Sequence, residues 1–353
     1  MITITVNSEA GYNILIGKGL LCTCGNTIRE VARGQKVLVI SDTNVAPLYA
    51  QRIVDSLTEN GFESDVFTFP AGETNKTLET VGHMLDAMCE FGLSRSDLVV
   101  ALGGGVCGDL AGFASAIFQR GIDFVSIPTT LLAQIDSSVG GKTACDLKAG
   151  KNLAGAFYNP QLVIIDPDCL STLPERFFND GLAEAIKYGC IKSKNLFNRL
   201  LTENPHNFIE ELIEECVNIK KNVVENDFRE SGERMLLNFG HTIGHAIEKY
   251  YNFSGISHGE AVGIGMVVIT SAAEQNGLLD IGASDKIIEC LKLYSLPTHT
   301  KISLETLAKL ALSDKKRSGS NINLVLLHDI GNSYIHKIET SKLENFLNGG
   351  HEA

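Results

Sequence analysis

Three closely spaced histidines are the residues of this sequence whose types best suit chemistry. The segment LNFGHTIGH, residues 237–245, places His241 and His245 four positions apart, and His258 follows in SHGEAVG at 257–263. Helical side chains four positions apart share a face, and neutral imidazole is the commonest protein ligand for divalent transition metals. A lone histidine would more often be a packed polar residue. Three of them among apolar and small neighbours favour a metal site.

A catalytic metal site commonly adds a carboxylate to two histidines and leaves positions open for substrate. Glu248 and Glu260 are the acids nearest in sequence to the histidines, whereas Glu184 lies in the apolar segment GLAEAIKYG. A buried carboxylate needs a partner, and either a metal or Lys187 would serve Glu184. Spacing alone leaves the choice among the three acids open, and it leaves His245 as a possible ligand.

The elements that must position these residues fall into two halves, and the first half alternates strands with helices. Residues 1–17 alternate apolar and polar side chains, which is typical of a strand pair. Later strands are predicted at KVLVISD (36–42), SDVFTFP (64–70), DLVVALGGG (97–105), DFVSIPTT (123–130) and QLVIIDP (161–167). Continuous apolar strands separated by helices predict a mainly parallel, Rossmann-like α/β sheet covered on both faces, with ligands beyond the carboxyl ends of the strands.

After about residue 168 the strand signals fade. NFIEELIEECVNIKKNVV has apolar residues at helical spacing, and GEAVGIGMVVITSAAEQNG predicts a core helix. The later strand candidates are NINLVLLHDIG and SYIHKI, as one hairpin. We therefore predict an α/β domain over residues 1–167 and a mainly α-helical domain over residues 168–353.

The segment LVVALGGGVCGDLAGFASA predicts a strand, a glycine turn and a helix. Gly103, Gly105 and Gly108 satisfy the G-x-G-x-x-G pattern, in which the backbone approaches a pyrophosphate at a helix N-terminus. The pattern comes several strands into the sheet, and the acid expected about 20 residues later is not clearly placed. A tight turn is the alternative, but a nucleotide bound in an unusual manner explains both departures.

Polar side chains follow the other predicted strands at the same edge of the sheet. They are Asp42, Asn44, Glu73, Lys76, Thr129 and Thr130. An acid after an early strand suits ribose hydroxyls, and hydroxyls with lysine suit phosphates. Any one of them could be a helix cap, but their joint position favours a cofactor site.

A glycine-rich, loop-like stretch follows, LLAQIDSSVGGKTACDLKAGKNLAGAFYNP. It contains Lys142, Lys148 and Lys151, with Asp136 upstream and Asn152 adjacent. Such a cluster could be a solvated loop, yet lysines flanked by glycines in an acidic protein favour contacts with an anion.

Composition restricts the partners and the compartment. The formal net charge of −12 argues against nucleic acid or an anionic membrane as a partner. No apolar run reaches the roughly 18 residues of a membrane helix, and the N-terminus lacks the pattern of a signal peptide. The nine scattered cysteines indicate reduced packing residues. These features predict a cytoplasmic protein.

Several motifs together resemble the 3-dehydroquinate synthase family of sugar phosphate cyclases. They are PAGETNK (70–76), GGGVCGDLAGFA (103–114), PTTLLAQIDSSVGGKT (128–143), GKNLAGAFYNP (150–160), GLAEAIKYG (181–189), LNFGHTIGHAIE (237–248) and HGEAVGIGM (258–266). The resemblance implies an NAD-binding α/β domain, a helical domain that holds zinc or cobalt, and a homodimer.

The implied substrate is 3-deoxy-D-arabino-heptulosonate 7-phosphate, which yields 3-dehydroquinate and phosphate in the shikimate pathway of aromatic amino acid biosynthesis. The implied steps are transient oxidation at C5 by NAD, β-elimination of phosphate, reduction, ring opening and aldol closure. The alternatives are a cyclase of the 2-deoxy-scyllo-inosose or valiolone type, and a metal-dependent polyol dehydrogenase.

The resemblance also assigns residues. The implied metal ligands are Glu184, His241 and His258, which makes His245 a substrate contact. The implied cofactor contacts are Asp42, Asn44, Glu73, Lys76, Gly105, Val106, Cys107, Gly108, Asp109, Thr129, Thr130, Lys142, Lys151, Cys169, Leu170, Ser171 and Thr172. The implied substrate contacts are Asp136, Lys151, Asn152, Lys187, Lys220, Arg234 and Asn238, with Arg120 reaching the site of the partner subunit. Either Lys315 or Lys316 is also implied as a phosphate contact, and we favour Lys316.

The chain departs from the family pattern in one place. The usual T-G-V-N-x-P-x-G-K-N stretch reads TACDLKAGKN here, which lacks the glycine and the proline and carries Asp146 in place of asparagine. Lys142, Lys151 and Asn152 are retained. The family's loop conformation therefore does not carry over directly to residues 143–149.

Overall fold

The computed structural model of the chain describes residues 1–7, 11–230, 232–313 and 320–350. Two compact units are present. The first comprises Met1–Pro174 with Lys220–Glu225, and the second comprises Glu175–Ile219 with Asn226–Ala353. In the described ranges, no helix has both the length and the apolar character that crossing a bilayer requires.

The first unit is built on a seven-stranded sheet. The strands of the sheet are β1 (Ile2–Val6), β2 (Tyr12–Ile16), β3 (Lys36–Asp42), β4 (Glu63–Phe69), β5 (Leu98–Gly103), β6 (Asp123–Pro128) and β9 (Leu162–Ile165). The strands β7 (Lys142–Leu147) and β8 (Gly150–Phe157) form a separate hairpin. The helices of the unit are α1 (Cys24–Val31), α2 (Ala46–Glu59), α3 (Leu78–Glu90) and α4 (Gly105–Ile117). The order is β1-β2-β9-β6-β5-β3-β4, and only the β1–β2 pair is antiparallel.

Helices cover both faces of this sheet because its strands are apolar on both sides. Val37 and Val39 of β3 pack into one core cluster with Ile53 of α2. Leu38 and Ile40 point the other way, into a cluster that includes side chains of α3 and α4. Burying each such side chain contributes about 1.5–3 kcal/mol. The predicted parallel α/β sheet and the predicted N-terminal strand pair are confirmed.

The loop-like interpretation of residues 142–151 is wrong, since this stretch forms the antiparallel hairpin β7–β8. Glycine permits the pairing here instead of breaking it. A Cβ atom on Gly155 would lie 2.2 Å from the carbonyl oxygen of Thr143. The close approach of the two strands therefore requires glycine at that position.

The second unit is mainly helical, as predicted. Its helices are α5 (Glu175–Lys192), α6 (Lys194–Thr202), α7 (Ile209–Asn226), α8 (His241–Tyr250), α9 (His258–Gln275), α10 (Ala283–Leu293), α11 (Leu304–Ser313) and α12 (Leu343–Leu347). Of α7, residues Lys220–Glu225 belong to the first unit. Helix α9 is buried on most sides, which confirms the predicted core helix. The strands β10 (Asn321–Asp329) and β11 (Asn332–Glu339) form the predicted hairpin.

Asp97 joins the starts of two neighbouring strands of the sheet. Its Oδ1 accepts the backbone N–H groups of Gln35 and Lys36 at 3.1 and 3.0 Å, and its Oδ2 accepts the backbone N–H and hydroxyl of Ser94 at 2.8 and 2.6 Å. Burial alone would raise the pKa of this carboxyl, but the four hydrogen bonds lower it below its ordinary value.

We predict that Asp97→Asn lowers the free energy of unfolding by about 1–3 kcal/mol, because an amide cannot accept all four donors. The folded-state pKa is depressed, so this stability is present above the unfolded pKa of about 3.9 and is lost as the pH falls through the folded value. Urea unfolding at neutral pH and at about pH 3 measures both effects. Asp86→Asn, at an exposed acid of α3, is the matched control. An equal deficit at both pH values would contradict the charge-based account.

Candidate metal centre and nucleotide site

Three helices of the second unit bring one carboxylate and two imidazoles together. Glu184 comes from α5, His241 is the first residue of α8 and His258 is the first residue of α9. Oε1 of Glu184 lies 3.6 Å from Nε2 of His241 and 3.5 Å from Nε2 of His258. One donor atom from each of the three residues lies within 4.8 Å of the others. Such a donor set suits a divalent transition metal.

Close backbone contacts fix the relative positions of these helices. Asp180, one turn before Glu184 on α5, accepts the backbone N–H of Gly259 at 2.6 Å. A Cβ atom on Gly259 would lie 2.2 Å from the carbonyl oxygen of Asp180. The N-terminus of α9, and His258 with it, is thereby held against the face of α5 that carries Glu184.

Each candidate histidine ligand is oriented through its other ring nitrogen. Nδ1 of His241 lies 3.1 Å from the carbonyl oxygen of Phe239. Nδ1 of His258 lies 3.4 Å from Oε1 of Glu248. Acceptors at Nδ1 keep the proton there and leave the Nε2 lone pair free to bind a metal. The two rings therefore present the correct nitrogen toward Glu184.

Burial makes the charges of this cluster interdependent. Glu184 is fully buried and forms an ion pair with Lys187 one turn away. Burial, aided by the charge of Lys187, lowers the pKa of His241 to about 3. Burial also opposes charge on His258, but its bonds to Glu184 and Glu248 raise its pKa to about 10. The cluster thus holds a buried carboxylate that cations must balance, which a divalent ion can do.

Of the acids that spacing left open, Glu260 serves a different purpose. Its side chain accepts the backbone N–H of Ser257 at 2.8 Å in a capping box at the start of α9. It also contacts Arg176 at 3.2 Å. His245, Glu248 and His258 form a second group of donors within 4.8 Å of one another, so His245 and Glu248 remain alternatives on distance alone.

Other predicted residues of the second unit lie close to this cluster in sequence and are strongly held. Arg234 is buried and donates to the carbonyl oxygen of Phe228 at 2.6 Å. The amide of Asn238 donates to Oε1 of Glu230 at 2.7 Å. The ring of His245 is exposed, with its centroid 5.5 Å from that of His241. Lys316 lies outside the described residues.

In the first unit, the predicted nucleotide residues lie at the carboxyl ends of adjacent strands. Asp42 ends β3, and its Oδ1 accepts the backbone N–H of Asn44 at 2.8 Å. Gly105 begins α4 directly after β5. The hydroxyl of Thr129, after β6, is buried and has no hydrogen-bond partner among the described residues. An orphaned buried hydroxyl beside a glycine turn fits a site that a polar ligand completes.

Lys76 connects the residues that follow β4 with those of α4. Its Nζ lies 2.6 Å from Oδ2 of Asp109 and 2.6 Å from Oδ1 of Asn152. Burial alone would lower the pKa of Lys76, but the charges of Asp109 and Glu73 raise it above its ordinary value. Nζ of Lys151 lies 3.4 Å from Glu73. The residues of this group therefore contact one another.

The remaining assigned residues of the first unit occupy three further positions. The Nζ of Lys220 donates to the carbonyl oxygen of Asp136 at 2.7 Å and also pairs with its carboxylate. Lys142 lines a pocket with Gly104, Gly108 and Asp109 beside the glycine turn. The side chain of Cys107 is in the core, so any nucleotide contact at this residue would involve its backbone.

Two features of this unit bear on the assigned residues in ways that the sequence did not reveal. The hydroxyl of Tyr49 binds the 167–172 turn, 3.1 Å from the carbonyl oxygen of Cys169 and 2.5 Å from Oγ1 of Thr172.

Gln119 and Arg120 both have left-handed backbone conformations, with φ of 47° and 70°. Strain of this kind is concentrated at functional sites.

Comparisons with known proteins agree along the chain. The family model described as 3-dehydroquinate synthase N-terminal matches residues 66–180, and the one described as 3-dehydroquinate synthase C-terminal matches residues 181–317. The 3-dehydroquinate synthase of Clostridium beijerinckii is 50% identical over 335 residues, which cover 93% of this chain and 95% of that relative.

Solved structures of related cyclases have the same fold. A 2-deoxy-scyllo-inosose synthase complexed with carbaglucose-6-phosphate, NAD⁺ and Co²⁺ is 25% identical, with a TM-score of 0.86 over 98% of this chain and 99% of that chain. The 2-epi-5-epi-valiolone synthase of Streptomyces hygroscopicus, with NAD⁺ and Zn²⁺ bound, is 27% identical, with a TM-score of 0.87 over 98% of each chain. Two family models match the chain side by side, and one relative is identical at half of the aligned positions. The chain therefore belongs to the 3-dehydroquinate synthase family.

Proposed function

We propose that the chain converts 3-deoxy-D-arabino-heptulosonate 7-phosphate to 3-dehydroquinate and phosphate, with NAD and a divalent metal as cofactors. The observation that carries this proposal is the 50% identity over nearly the whole chain to a 3-dehydroquinate synthase. The two cyclases of other specificity are 25% and 27% identical, so the alternative cyclase reactions are less favoured.

Glu184, His241 and His258 would hold the metal, and zinc or cobalt is the ion we propose, as in the two cyclase structures. NAD would bind at the carboxyl ends of β3, β5 and β6. The acid Asp42, the N-terminus of α4 and the hydroxyl of Thr129, which has no partner in the described part of the chain, support this position. When bound, NAD supplies reversible hydride transfer and the metal supplies Lewis acidity toward a substrate oxygen.

The chain's own residues would bind the substrate's anionic groups and move protons. In the first unit, Lys151 and Asn152 provide an ammonium and an amide beside Lys76. In the second unit, Lys187 and Arg234 are buried cations. Each charge-assisted hydrogen bond to a carboxylate or phosphate is worth about 1.5–3 kcal/mol.

His245 is the residue that we propose for proton transfer. It is exposed while its helical neighbour His241 is buried, so its imidazole is open to water as well as to a substrate. A histidine has an ordinary pKa near 6.5, which suits both proton uptake and release.

We also propose a cytoplasmic homodimer in which Arg120 acts on the partner subunit's substrate. The two left-handed residues Gln119 and Arg120 support a role for this turn beyond packing. Arg33, Arg95 and Arg120 line one groove together with Asp123, which lies 3.6 Å from Arg33, so three positive groups face one negative group there. Such a groove suits a phosphate group.

The reaction predicts phosphate release without accumulation of NADH. Purified protein with the heptulosonate phosphate, NAD⁺ and zinc or cobalt should liberate phosphate while the NADH absorbance shows no net change, because the hydride is returned to the substrate. Phosphate release and NADH absorbance are recorded on the same sample. Net NADH formation without phosphate release would indicate a dehydrogenase instead, and Glu184→Gln serves as the inactive control.

His258 belongs to two possible metal-binding groups, one with Glu184 and one with Glu248. Substitutions of these two acids should therefore have different consequences. Glu184→Gln should abolish stoichiometric metal binding because it removes a ligand. Glu248→Gln should keep the stoichiometry and weaken the affinity about 10- to 100-fold, because it changes only the acceptor behind His258. Elemental analysis and chelator competition measure both quantities. Glu260→Gln is the control. Retention of metal by Glu184→Gln with loss in Glu248→Gln would assign the ion to the group that contains His245.

The proposed dimer predicts complementation between two defective chains. Arg120→Ala and Glu184→Gln homodimers should both be inactive. Reassembly of an equimolar mixture should restore about a quarter of the wild-type activity, because half of the dimers then contain one complete site. Light scattering establishes the oligomeric state. No recovery in a mixture shown to contain hybrid dimers would mean that Arg120 acts within its own subunit.

A further inference from the structure

The pairing of hairpin β7–β8 is irregular at Asp146. Cys145 pairs with Ala154 and Leu147 pairs with Gly150, so only Asp146 lies between the paired positions on β7. Three residues lie between the corresponding positions on β8, which are Lys151, Asn152 and Leu153. The bulge therefore contains Lys151 and Asn152, the two residues that the family pattern assigns to ligand binding.

Asn152 adopts a left-handed backbone conformation within this bulge, with φ of 55°. Asparagine tolerates that region better than most residues, but it still requires support from its surroundings. The bulge also removes the backbone N–H of Asn152 from the regular ladder. Oδ1 of Asp146 accepts that N–H at 2.8 Å, so one side chain compensates for the broken pairing.

The same residue closes a ring of hydrogen bonds with Lys76. The backbone N–H of Asp146 donates to the carbonyl oxygen of Lys76 at 2.7 Å. Nζ of Lys76 then donates to Oδ1 of Asn152 at 2.6 Å. Asp146, Asn152 and Lys76 thus hold one another in place. The side-chain amide of Asn152 is oriented by Lys76, and the backbone of Lys76 is in turn bound by Asp146.

We propose that Asp146 is a positioning residue, which holds Asn152 in the orientation that binds the sugar phosphate and keeps Lys76 beside it. This inference rests on the proposed function. It assigns a purpose to the one position of the 143–152 stretch where this chain carries an acid in place of the family's asparagine.

The acceptor oxygen, and not the charge, carries this role. Burial raises the pKa of Asp146 above its ordinary value, although the hydrogen bond from Asn152 acts in the opposite direction. The site therefore does not favour the charged form strongly. An asparagine at this position keeps Oδ1 as an acceptor for the Asn152 N–H, whereas alanine removes it.

The test compares Asp146→Ala with Asp146→Asn in the full-length, metal-loaded enzyme. We expect Asp146→Ala to raise KM for the heptulosonate phosphate, or to lower kcat, by about tenfold, because a displaced Asn152 no longer meets the substrate correctly. Asp146→Asn should stay within about twofold of the wild type. Hydrogen exchange at the amides of residues 150–154 should accelerate in Asp146→Ala alone. Leu147→Ala, at an exposed neighbour in the same strand, is the control.

Three outcomes would overturn the proposal. Unchanged kinetics and exchange in Asp146→Ala would show that Asn152 is held without it. Equal impairment of Asp146→Asn and Asp146→Ala would show that charge matters instead of the acceptor. A loss of thermal stability with unchanged KM, kcat and exchange in the folded fraction would show a merely structural role. Failure of the wild type to release phosphate would instead overturn the proposed function, while the exchange measurement would still test the contact.

Discussion

The buried carboxylate of Glu184 is the constraint on which the helical unit depends. A carboxylate without solvent exposure is stable only beside compensating cations and hydrogen-bond donors. Lys187 supplies one cation, and Nε2 of His258 lies 3.5 Å from the carboxylate. These partners come from α5 and α9, so the charge on Glu184 requires the two helices to meet where Asp180 and Gly259 join them. A divalent ion would satisfy the same requirement in their place.

A different constraint organises the sheet unit. Parallel strands bring all their carboxyl ends to one edge, and the loops there leave backbone N–H groups and short polar side chains without strand partners. Asp42 and Asn44 satisfy part of this need with each other. The hydroxyl of Thr129 has no partner in the described ranges. The edge is therefore incomplete in a way that a polar cofactor can complete.

The sequence predicted the helices and strands well because its apolar residues follow both the helical and the strand spacing closely. The sheet, the helical unit and the late hairpin all follow from local patterns. Hairpin β7–β8 was missed because glycine usually breaks strands, whereas here the close approach of Gly155 to Thr143 requires a glycine. Spacing could not choose between Glu184 and Glu248, since the position of each relative to His258 depends on packing between helices. Asp180 was also missed, although its position four residues before Glu184 places it on the same helix face.

The two polar networks share one physical property, which is that each holds its groups in place before any ligand binds. In the helical unit, the Nδ1 contacts of His241 and His258 fix the rings through atoms that a metal would not use. In the sheet unit, Asp146 fixes Asn152 through its backbone N–H, and Lys76 binds its side-chain Oδ1, so a ligand would contact the amide NH2. Orienting contacts are therefore separate from binding contacts in both units. Such separation lowers the conformational entropy lost on binding, and it lets supporting residues contribute to affinity without contacting the ligand.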